Sequence, residues 1–572
     1  MENKQYKGAE ILLKSLLAEG VDTIFGYPGG QNVAIYDQLY DYKDSLRHVL
    51  VRHEQGAIHS AQGYARAKGV PGVVLVTSGP GATNVITGIA DAMVDSTPVV
   101  VIAGQVGTAL LGTDAFQETD VLGMTIPITK WSYQVRRPED ITWAVARAFY
   151  IASSGRPGPV VLDFTRDAQV GMCEFNFEKC DFIRSYVPYP EPSEDVLKEA
   201  AAMINDSEKP FVVFGQGITM SGAEKELAAF LEKGNIPAGS TLLGLSALPT
   251  SDPNYVGMVG MHGNIAANVM TQDCDLLVAV GMRFDDRVTG KTSTYAKQAK
   301  KIHIDIDAAE IGKNVPVDLG VLGDAKTVLA RLTDMIYSVN RKWGKTAEEC
   351  YAVEKEKVIN PEVHPTEGYI NMGEVVDTVA TVSNESAIIV TDVGQNQMHG
   401  ARYSRFKQGR SLISSGGLGT MGYGLPAGIG AKIACPDRQV CVFLGDGGLQ
   451  MTMEELGTIM QEGTGVKICL MNNNWLGNVR MWQELFWDER YSYTRMSNPD
   501  YMKIASAYGI KSRLVEKRED LEDAVKEMFS NPDEPFLLEV RVVEEGMVFP
   551  MIPPGKSVNE ILIAKDVWYN NN

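Results

Sequence analysis

Cysteine is scarce and unpatterned in this 572-residue chain: seven thiols, at 173, 180, 274, 350, 435, 441 and 469, with no Cys-x-x-Cys pair. The odd count and the spacing argue against a disulfide scaffold and point to a reducing compartment. Cys441 and Cys469 lie inside apolar, strand-like runs and are expected as core thiols. Long hydrophobic runs are missing too. The longest, such as 97–104 and 439–444, fall far short of the roughly 20 residues a membrane span needs. There is no basic run interleaved with aromatics, and 53 Lys and Arg against 72 Asp and Glu leave a net charge of −19. Such a chain binds nucleic acid and anionic membrane poorly. Residues 1–10 carry neither an apolar signal core nor an Arg- and Ser-rich transit pattern, and helical periodicity begins with Ile11, Leu12, Leu16 and Leu17. The expected location is the cytoplasm.

What the chain does have is alternation. At roughly 100–200 residues per domain its length suggests about three domains. Hydrophobic residues at 44% and charged residues at 22% are ordinary for a folded enzyme, and 56 glycines hint at many tight loops. Strands are expected at 23–26, 48–52, 73–77, 99–103 and 159–163, with helices at 31–39, 55–67 and 82–93 between the first four. Short apolar runs separated by helices are the pattern of a parallel sheet covered on both faces. The proline-rich 187–192 reads as a linker. A second block has strands at 211–214, 276–280 and 302–306, and the charged stretch 341–357 reads as a solvated connection. A third has strands at 387–391, 440–444, 466–471 and 536–540. The fold class is therefore α/β, in three domains spanning 1–185, 190–340 and 365–555. Ser78-Gly79-Pro80-Gly81-Ala82-Thr83-Asn84 and Ser415-Gly416-Gly417-Leu418-Gly419-Thr420 each follow a strand-like segment and open an Ala/Gly-rich helix. Two related domains flanking a third would explain the echo, and so would convergence of common strand–helix loops.

The strongest chemical signal is Leu444-Gly445-Asp446-Gly447-Gly448, closing a strand and leading to a helix expected near Met453. A second strand then ends in Asn472-Asn473-Asn474. The 27 residues from Asp446 to Asn473 are one strand–helix–strand crossover, so both side chains fall at the carboxyl ends of parallel strands, where α/β sheets bind ligands. An Asp carboxylate and an Asn carbonyl are two hard ligands for Mg²⁺, which leaves positions for phosphate oxygens and water. Gly445, Gly447 and Gly448 let the backbone approach a diphosphate.

This pattern resembles the thiamine-diphosphate enzymes. In that family a glutamate placed like Glu54, in His53-Glu54-Gln55-Gly56-Ala57, hydrogen-bonds the aminopyrimidine ring and drives loss of the thiazolium C2 proton. Across residues 5 to 560 the likeness narrows to catalytic large subunits of the acetohydroxyacid synthase family. It is carried by Phe25-Gly26-Tyr27-Pro28-Gly29-Gly30, Gly112-Thr113-Asp114-Ala115-Phe116-Gln117-Glu118, Gly260-Met261-His262-Gly263 and, most discriminating, Arg283-Phe284-Asp285-Asp286-Arg287-Val288-Thr289-Gly290. The resemblance implies decarboxylation of pyruvate and ligation of the two-carbon unit to pyruvate or 2-oxobutyrate. It puts Gly29, Gly30, Pro80 and Asn84 on the pyrimidine side, and Gly394, Gln395, Gly419 and Met421 on the thiazolium and diphosphate side. Asp446, Asn473 and Trp475 are expected at the metal. Gln117 matches a polar residue near the reacting centre, Arg287 a substrate-carboxylate site, and Trp482 the tryptophan that favours 2-oxobutyrate. The segment 549–556 resembles one that closes over the site. A structural, non-redox FAD is implied by Arg156, Gly215, Gly217, Thr241, Leu242, His262, Arg283, Asp305 and Asp324. A homodimer or dimer of dimers and a separate small regulatory subunit are implied in the same way.

Departures from the family pattern are Thr165-Arg166-Asp167 for Pro-Lys-Asp, Asn396 and His399 for His and Trp, and Asn478 for Met. Three rival readings share the fold. A pyruvate oxidase would take up oxygen, a simple decarboxylase would release acetaldehyde, and a non-catalytic subunit would do neither. A glyoxylate carboligase is disfavoured because its family lacks the glutamate that Glu54 supplies.

Overall fold

The structure, a computed structural model, describes residues 4–338, 341, 343 and 346–569. Three six-stranded parallel sheets organise it. Continuous aliphatic runs such as Gly72–Val76, Leu276–Val280 and Val440–Gly445 make the central strands, since both of their faces lie under helices. The first sheet runs Arg47–Leu50, Thr23–Gly26, Gly72–Val76, Val99–Gln105, Pro159–Thr165, Trp131–Val135. The third runs Leu412–Ser414, Ile388–Thr391, Val440–Gly445, Lys467–Asn472, Phe536–Arg541, Lys511–Val515. Numbered in chain order within each sheet, both read 2-1-3-4-6-5. One plan repeated explains the glycine-loop echo better than convergence of isolated loops. The middle sheet, Tyr255–Met258, Ala238–Ser240, Pro210–Phe214, Leu276–Val280, Lys300–Asp305, Leu319–Leu322, reads 3-2-1-4-5-6. That order leaves a crevice between strands 1 and 4, suited to a dinucleotide.

The central strands fall within a residue or two of expectation. The strands of the three sheets outside it are Trp131–Val135, Ala238–Ser240, Tyr255–Met258, Leu319–Leu322, Leu412–Ser414 and Lys511–Val515. Four of the six are half-buried or partly exposed edge strands, so no continuous apolar run marks them; the other two are only three residues long. The helix expected over 82–93 is two, Pro80–Asn84 and Ile86–Val94, broken at Val85. The helix expected near Met453 instead begins at once, as Asp446–Met451, with a 3₁₀ turn Met453–Glu455 before Leu456–Glu462. An acidic first residue suits the positive end of a helix.

The stretch 341–357 is not simply solvated, and residues 342, 344 and 345 of it lie outside the described residues. Helix Thr346–Glu354 ends in a carboxylate that pairs with Arg402 at 2.6 Å, both side chains 1% exposed. Glu354 also accepts the Ile265 N–H and an Asn264 amide hydrogen. Its partner lies 48 residues on, which a local count of charges does not reveal.

The first and third units meet where helix Glu54–Lys68 crosses Gly424–Ala434. A Cβ on Gly430 would sit 1.8 Å from the Ser60 carbonyl oxygen, and one on Gly63 2.0 Å from that of Ala427. Ser60 Oγ donates to the Pro426 carbonyl at 2.9 Å. All seven cysteines are free, Cys441 and Cys469 fully buried. Among the described residues no helix is long and apolar enough to cross a membrane.

Candidate active site

In the first sheet the topological break lies between strands Thr23–Gly26 and Gly72–Val76, and the loops leaving both carry candidate residues. Gly29 packs so tightly on Thr77 that a Cβ would lie 2.5 Å from its methyl group, and its N–H donates to Asn32 Oδ1 at 2.8 Å. The next loop turns at Gly79, φ +56°, against the Gln117 backbone and opens helix Pro80–Asn84. Asn84 Nδ2 donates to Glu54 Oε2 at 2.9 Å. Glu54 is the first residue of its helix, with His53 Nδ1 accepting the Gln55 N–H at 3.1 Å. Glu54, Asn84, Pro80, Gly29, Gly30 and Gln117 are thus gathered at one sheet end, with the Gln117 amide oxygen 3.7 Å from where a Gly30 Cβ would lie.

The third sheet repeats this at the break between Ile388–Thr391 and Val440–Gly445. Gly394 and Gln395 follow the first of these strands, and Gly445 and Asp446 end and follow the second. Asp446 is 1% exposed, and burial raises its carboxyl above the usual range. Asn498 Nδ2 donates to Asp446 Oδ2 at 2.6 Å and reaches Asn472 Oδ1 and Asn474 Oδ1, both at 3.0 Å. Asn473 Nδ2 donates to Gln395 Oε1 at 3.2 Å, while its Oδ1 accepts the Trp475 N–H at 3.1 Å. The Met421 methyl lies 3.5 Å from where a Gly447 Cβ would stand. Among the described residues there is no cluster of three His, Cys, Asp or Glu fit for a metal. The donor set here is one carboxylate with amide and main-chain oxygens, which fits a hard cation that draws its other ligands from a diphosphate.

Sequence reasoning missed two anchors of this cradle. Asn498 is one, and Asp392 is the other. Asp392 is fully buried and accepts the N–H groups of Val393, Gly422 and Gly424 at 2.8–3.2 Å, so it fixes the turn that carries Met421. Burial pushes its carboxyl up to about 6. An acid directly after a strand was the available signal.

A cavity of about 540 Å³ opens at the break of the middle sheet. Arg156, Gly215, Gly217, Thr241, Leu242, His262, Arg283, Asp305 and Asp324 all line it. Gly215 and Gly217 press on the Gly281 loop, where Cβ atoms would come within 2.4 and 2.6 Å of the Gly281 backbone. Arg156 pairs with Glu310 at 2.6 Å and Asp307 at 3.2 Å. Asp324 accepts the Lys326 and Thr327 N–H groups and caps helix Ala325–Met335. Among the described residues His262 Nδ1 is buried without a partner, and burial holds that imidazole down to about 4. Arg287 and Trp482 line the same cavity, with the guanidinium 5.5 Å from the indole centroid. The Arg287 side chain is 56% exposed, and its ion pair with Asp286 is long at 3.6 Å. Among the described residues Asn478 Oδ1 and Trp482 Nε1 are likewise buried without partners. The segment 549–556 is seated beside them, Ile552 N–H on the Met261 carbonyl at 2.8 Å and Lys291 N–H on that of Lys556 at 2.9 Å.

Two like cradles at matched sheet breaks, with a dinucleotide-type crevice between them in sequence, define a thiamine-diphosphate-dependent α/β enzyme. Models of thiamine pyrophosphate enzymes match as N-terminal TPP-binding domain over residues 6–124, central domain over 197–332 and C-terminal TPP-binding domain over 392–540. The chain is 43% identical over 564 residues to the acetolactate synthase large subunit of Lactococcus lactis, covering 98% of this chain and 96% of that one. It is 44% identical over 569 residues to a probable acetolactate synthase large subunit of Methanocaldococcus jannaschii, covering 97% and 95%. With the Haemophilus influenzae large subunit the identity is 40% over 569 residues, covering 98% and 99%. The chain belongs to the acetolactate synthase large-subunit family.

Proposed function

We propose that this chain is the catalytic subunit of an acetolactate synthase, a cytoplasmic transferase of branched-chain amino-acid biosynthesis. It decarboxylates pyruvate and joins the two-carbon unit to pyruvate or 2-oxobutyrate. The observation that carries the reading is the pair of cradles, Glu54 with Asn84 in one and Asp446 with Asn473 in the other, at equivalent breaks of two sheets of one topology. Bound thiamine diphosphate supplies a nucleophilic carbon and an electron sink. Glu54, steadied by Asn84, holds or moves the proton at the pyrimidine ring. Asp446 and Asn473, with the Trp475 main chain, would hold Mg²⁺ and through it the diphosphate, and the backbone from 445 to 448 would line it. Met421 and Gly419 shape the floor between the two ends.

Arg287 suits the carboxylate of the acceptor, because a planar guanidinium grips a carboxylate through two parallel N–H bonds and stays charged at any working pH. Trp482 beneath it offers an apolar face to the acceptor's alkyl group. The cavity that both line fits FAD in a structural role, since its glycine turns admit a pyrophosphate and Asp305 and Asp324 end or follow the strands beside it. We divide the chain at 1–185, 190–340 and 365–555. A homodimer is favoured by exposed apolar residues next to each cradle. Phe116 (85% exposed), Val33 and Tyr27 flank one, and Leu418 and Met451 the other. A small regulatory subunit is proposed on the relatives' designation as large subunits.

The test is a product analysis with pyruvate and 2-oxobutyrate, thiamine diphosphate and Mg²⁺, with FAD added or withheld. Both acetohydroxy acids should form without flavin bleaching. Free acetaldehyde as the main product, or oxygen uptake, would replace the reading with a decarboxylase or an oxidase.

A further inference from the structure

Glu455 lies nine residues past Asp446 in the third unit, at the end of the 3₁₀ turn Met453–Glu455, yet its side chain reaches the first unit. It is fully buried. Its Oε1 accepts the main-chain N–H groups of Arg52 and His53, each at 3.0 Å, and its Oε2 accepts Thr458 Oγ1 at 2.6 Å. Those two amides are the last before Glu54. Gly56, one turn into the helix, faces the same carboxylate so closely that a Cβ would lie 2.1 Å from Oε1. The Arg52 side chain adds a second tie, donating to the Gly457 carbonyl at 3.0 Å and to Gln461 Oε1 at 2.8 Å. Removing the carboxylate would leave two amides unpaired at the point where the chain turns into the helix.

We propose that Glu455 is a positioning residue for the reaction: its carboxylate clamps the turn that presents Glu54 and so fixes the aim of that side chain at the cofactor. The proposal rests on the reading of Glu54 given above. It follows from geometry, since among the described residues the Glu54 side chain has one hydrogen bond, from Asn84, and otherwise takes its direction from the backbone that Glu455 holds. A displacement of about 1 Å at a catalytic group can cost ~10²-fold in rate. Burial raises the Glu455 carboxyl to about 7, so near neutrality part of the population carries it uncharged, a state that a glutamine copies.

The experiment measures deuterium exchange at C2 of bound thiamine diphosphate in the holoenzyme at saturating cofactor and Mg²⁺, for E455A, E455Q, G56A and E54Q. E455A should slow exchange by about 10-fold or more, with cofactor affinity changed only a few-fold. E455Q should stay within about 3-fold of the parent, because its amide oxygen still accepts both N–H groups. G56A, which pushes the carboxylate away from the other side, should reproduce the E455A effect, and it decides the matter if E455A does not fold. Wild-type exchange in folded E455A or folded G56A would overturn the clamp and leave Glu455 as a packing and stability residue. Should E54Q itself exchange normally, the reading of Glu54 fails, whatever the Glu455 variants do.

Discussion

Replacing Asp95 with alanine would remove a carboxylate that ties the first unit to the loop ahead of Met421. Asp95 Oδ2 accepts Arg66 Nη2 at 2.7 Å and the Gly416 N–H at 2.9 Å, while Oδ1 accepts the Gly417 N–H at 2.7 Å. The side chains of Arg66 and Asp95 are 5% and 0% exposed. The variant would strand a buried guanidinium and two loop amides. Breaking a buried pair from one side typically costs about 3–5 kcal/mol. The lower end applies here, because Asp91 stands next to the vacated position. Its carboxyl, held up to about 6 by burial and by its neighbour Asp95, already attracts the Arg66 guanidinium and so offsets part of the stranded charge. At about 2–4 °C per kcal/mol for a domain of this size, a loss of ~3 kcal/mol lowers the melting midpoint by roughly 6–12 °C. Asp91 also accepts the Ser415 hydroxyl and Thr420 Oγ1, so the glycine loop stays attached but loosens, and thiamine diphosphate affinity should fall with it. Scanning calorimetry with a cofactor titration is the assay. A midpoint shift under about 2 °C, the range of an exposed ion pair, would refute the reasoning.

Other outcomes follow from the same geometry. Asp446→Ala should lose Mg²⁺ and thiamine diphosphate together on dialysis, since each holds the other; retention of both would remove Asp446 from the metal site. Trp482→Leu should lower the preference for 2-oxobutyrate by ~1–3 kcal/mol while acetolactate still forms, and an unchanged product ratio in competition would leave the indole as packing. Arg287→Lys should raise the acceptor's apparent KM and release some acetaldehyde, whereas normal acceptor dependence would confine this loop to the fold or the flavin. Burial raises Glu362 to about 7, so the folded chain keeps a proton that the unfolded chain releases near pH 4, and this group's contribution to stability declines as pH rises from about 4 to 7. Glu362→Gln should flatten that part of the dependence of melting temperature on pH; a parallel curve would contradict the assignment.

The parts of the site that were legible in the sequence are those written locally. Gly445-Asp446-Gly447-Gly448 and Asn472-Asn473 sit at strand ends one crossover apart, and hydrophobic period alone fixes where those strands end. Glu54 is also readable as the first residue of a helix, although its partner Asn84 lies 30 residues away. The nine residues expected at the flavin run from 156 to 324, and only a family resemblance could group them before the middle sheet brought them to one cavity. What stayed hidden acts across units. Glu455 meets residues about 400 positions earlier, and Asp91 and Asp95 meet a loop more than 300 positions later. Glu354 looked like surface charge for the same reason. Partly exposed strands such as Lys511–Val515 escaped because a strand that buries little carries no apolar run.

In the homodimer proposed above, the Glu54 cradle of one copy and the Asp446 cradle of the other would serve one bridging cofactor. Mixing two inactive variants, E54Q and D446A, by unfolding and refolding together or by co-expression tests it directly. Random pairing makes half of the dimers hybrid, and in each hybrid one of the two sites has both residues intact, so acetolactate formation should return to about a quarter of the parental rate. Activity that stays at the level of the separate variants, with hybrid dimers shown to be present, would contradict the account and confine each site to a single chain.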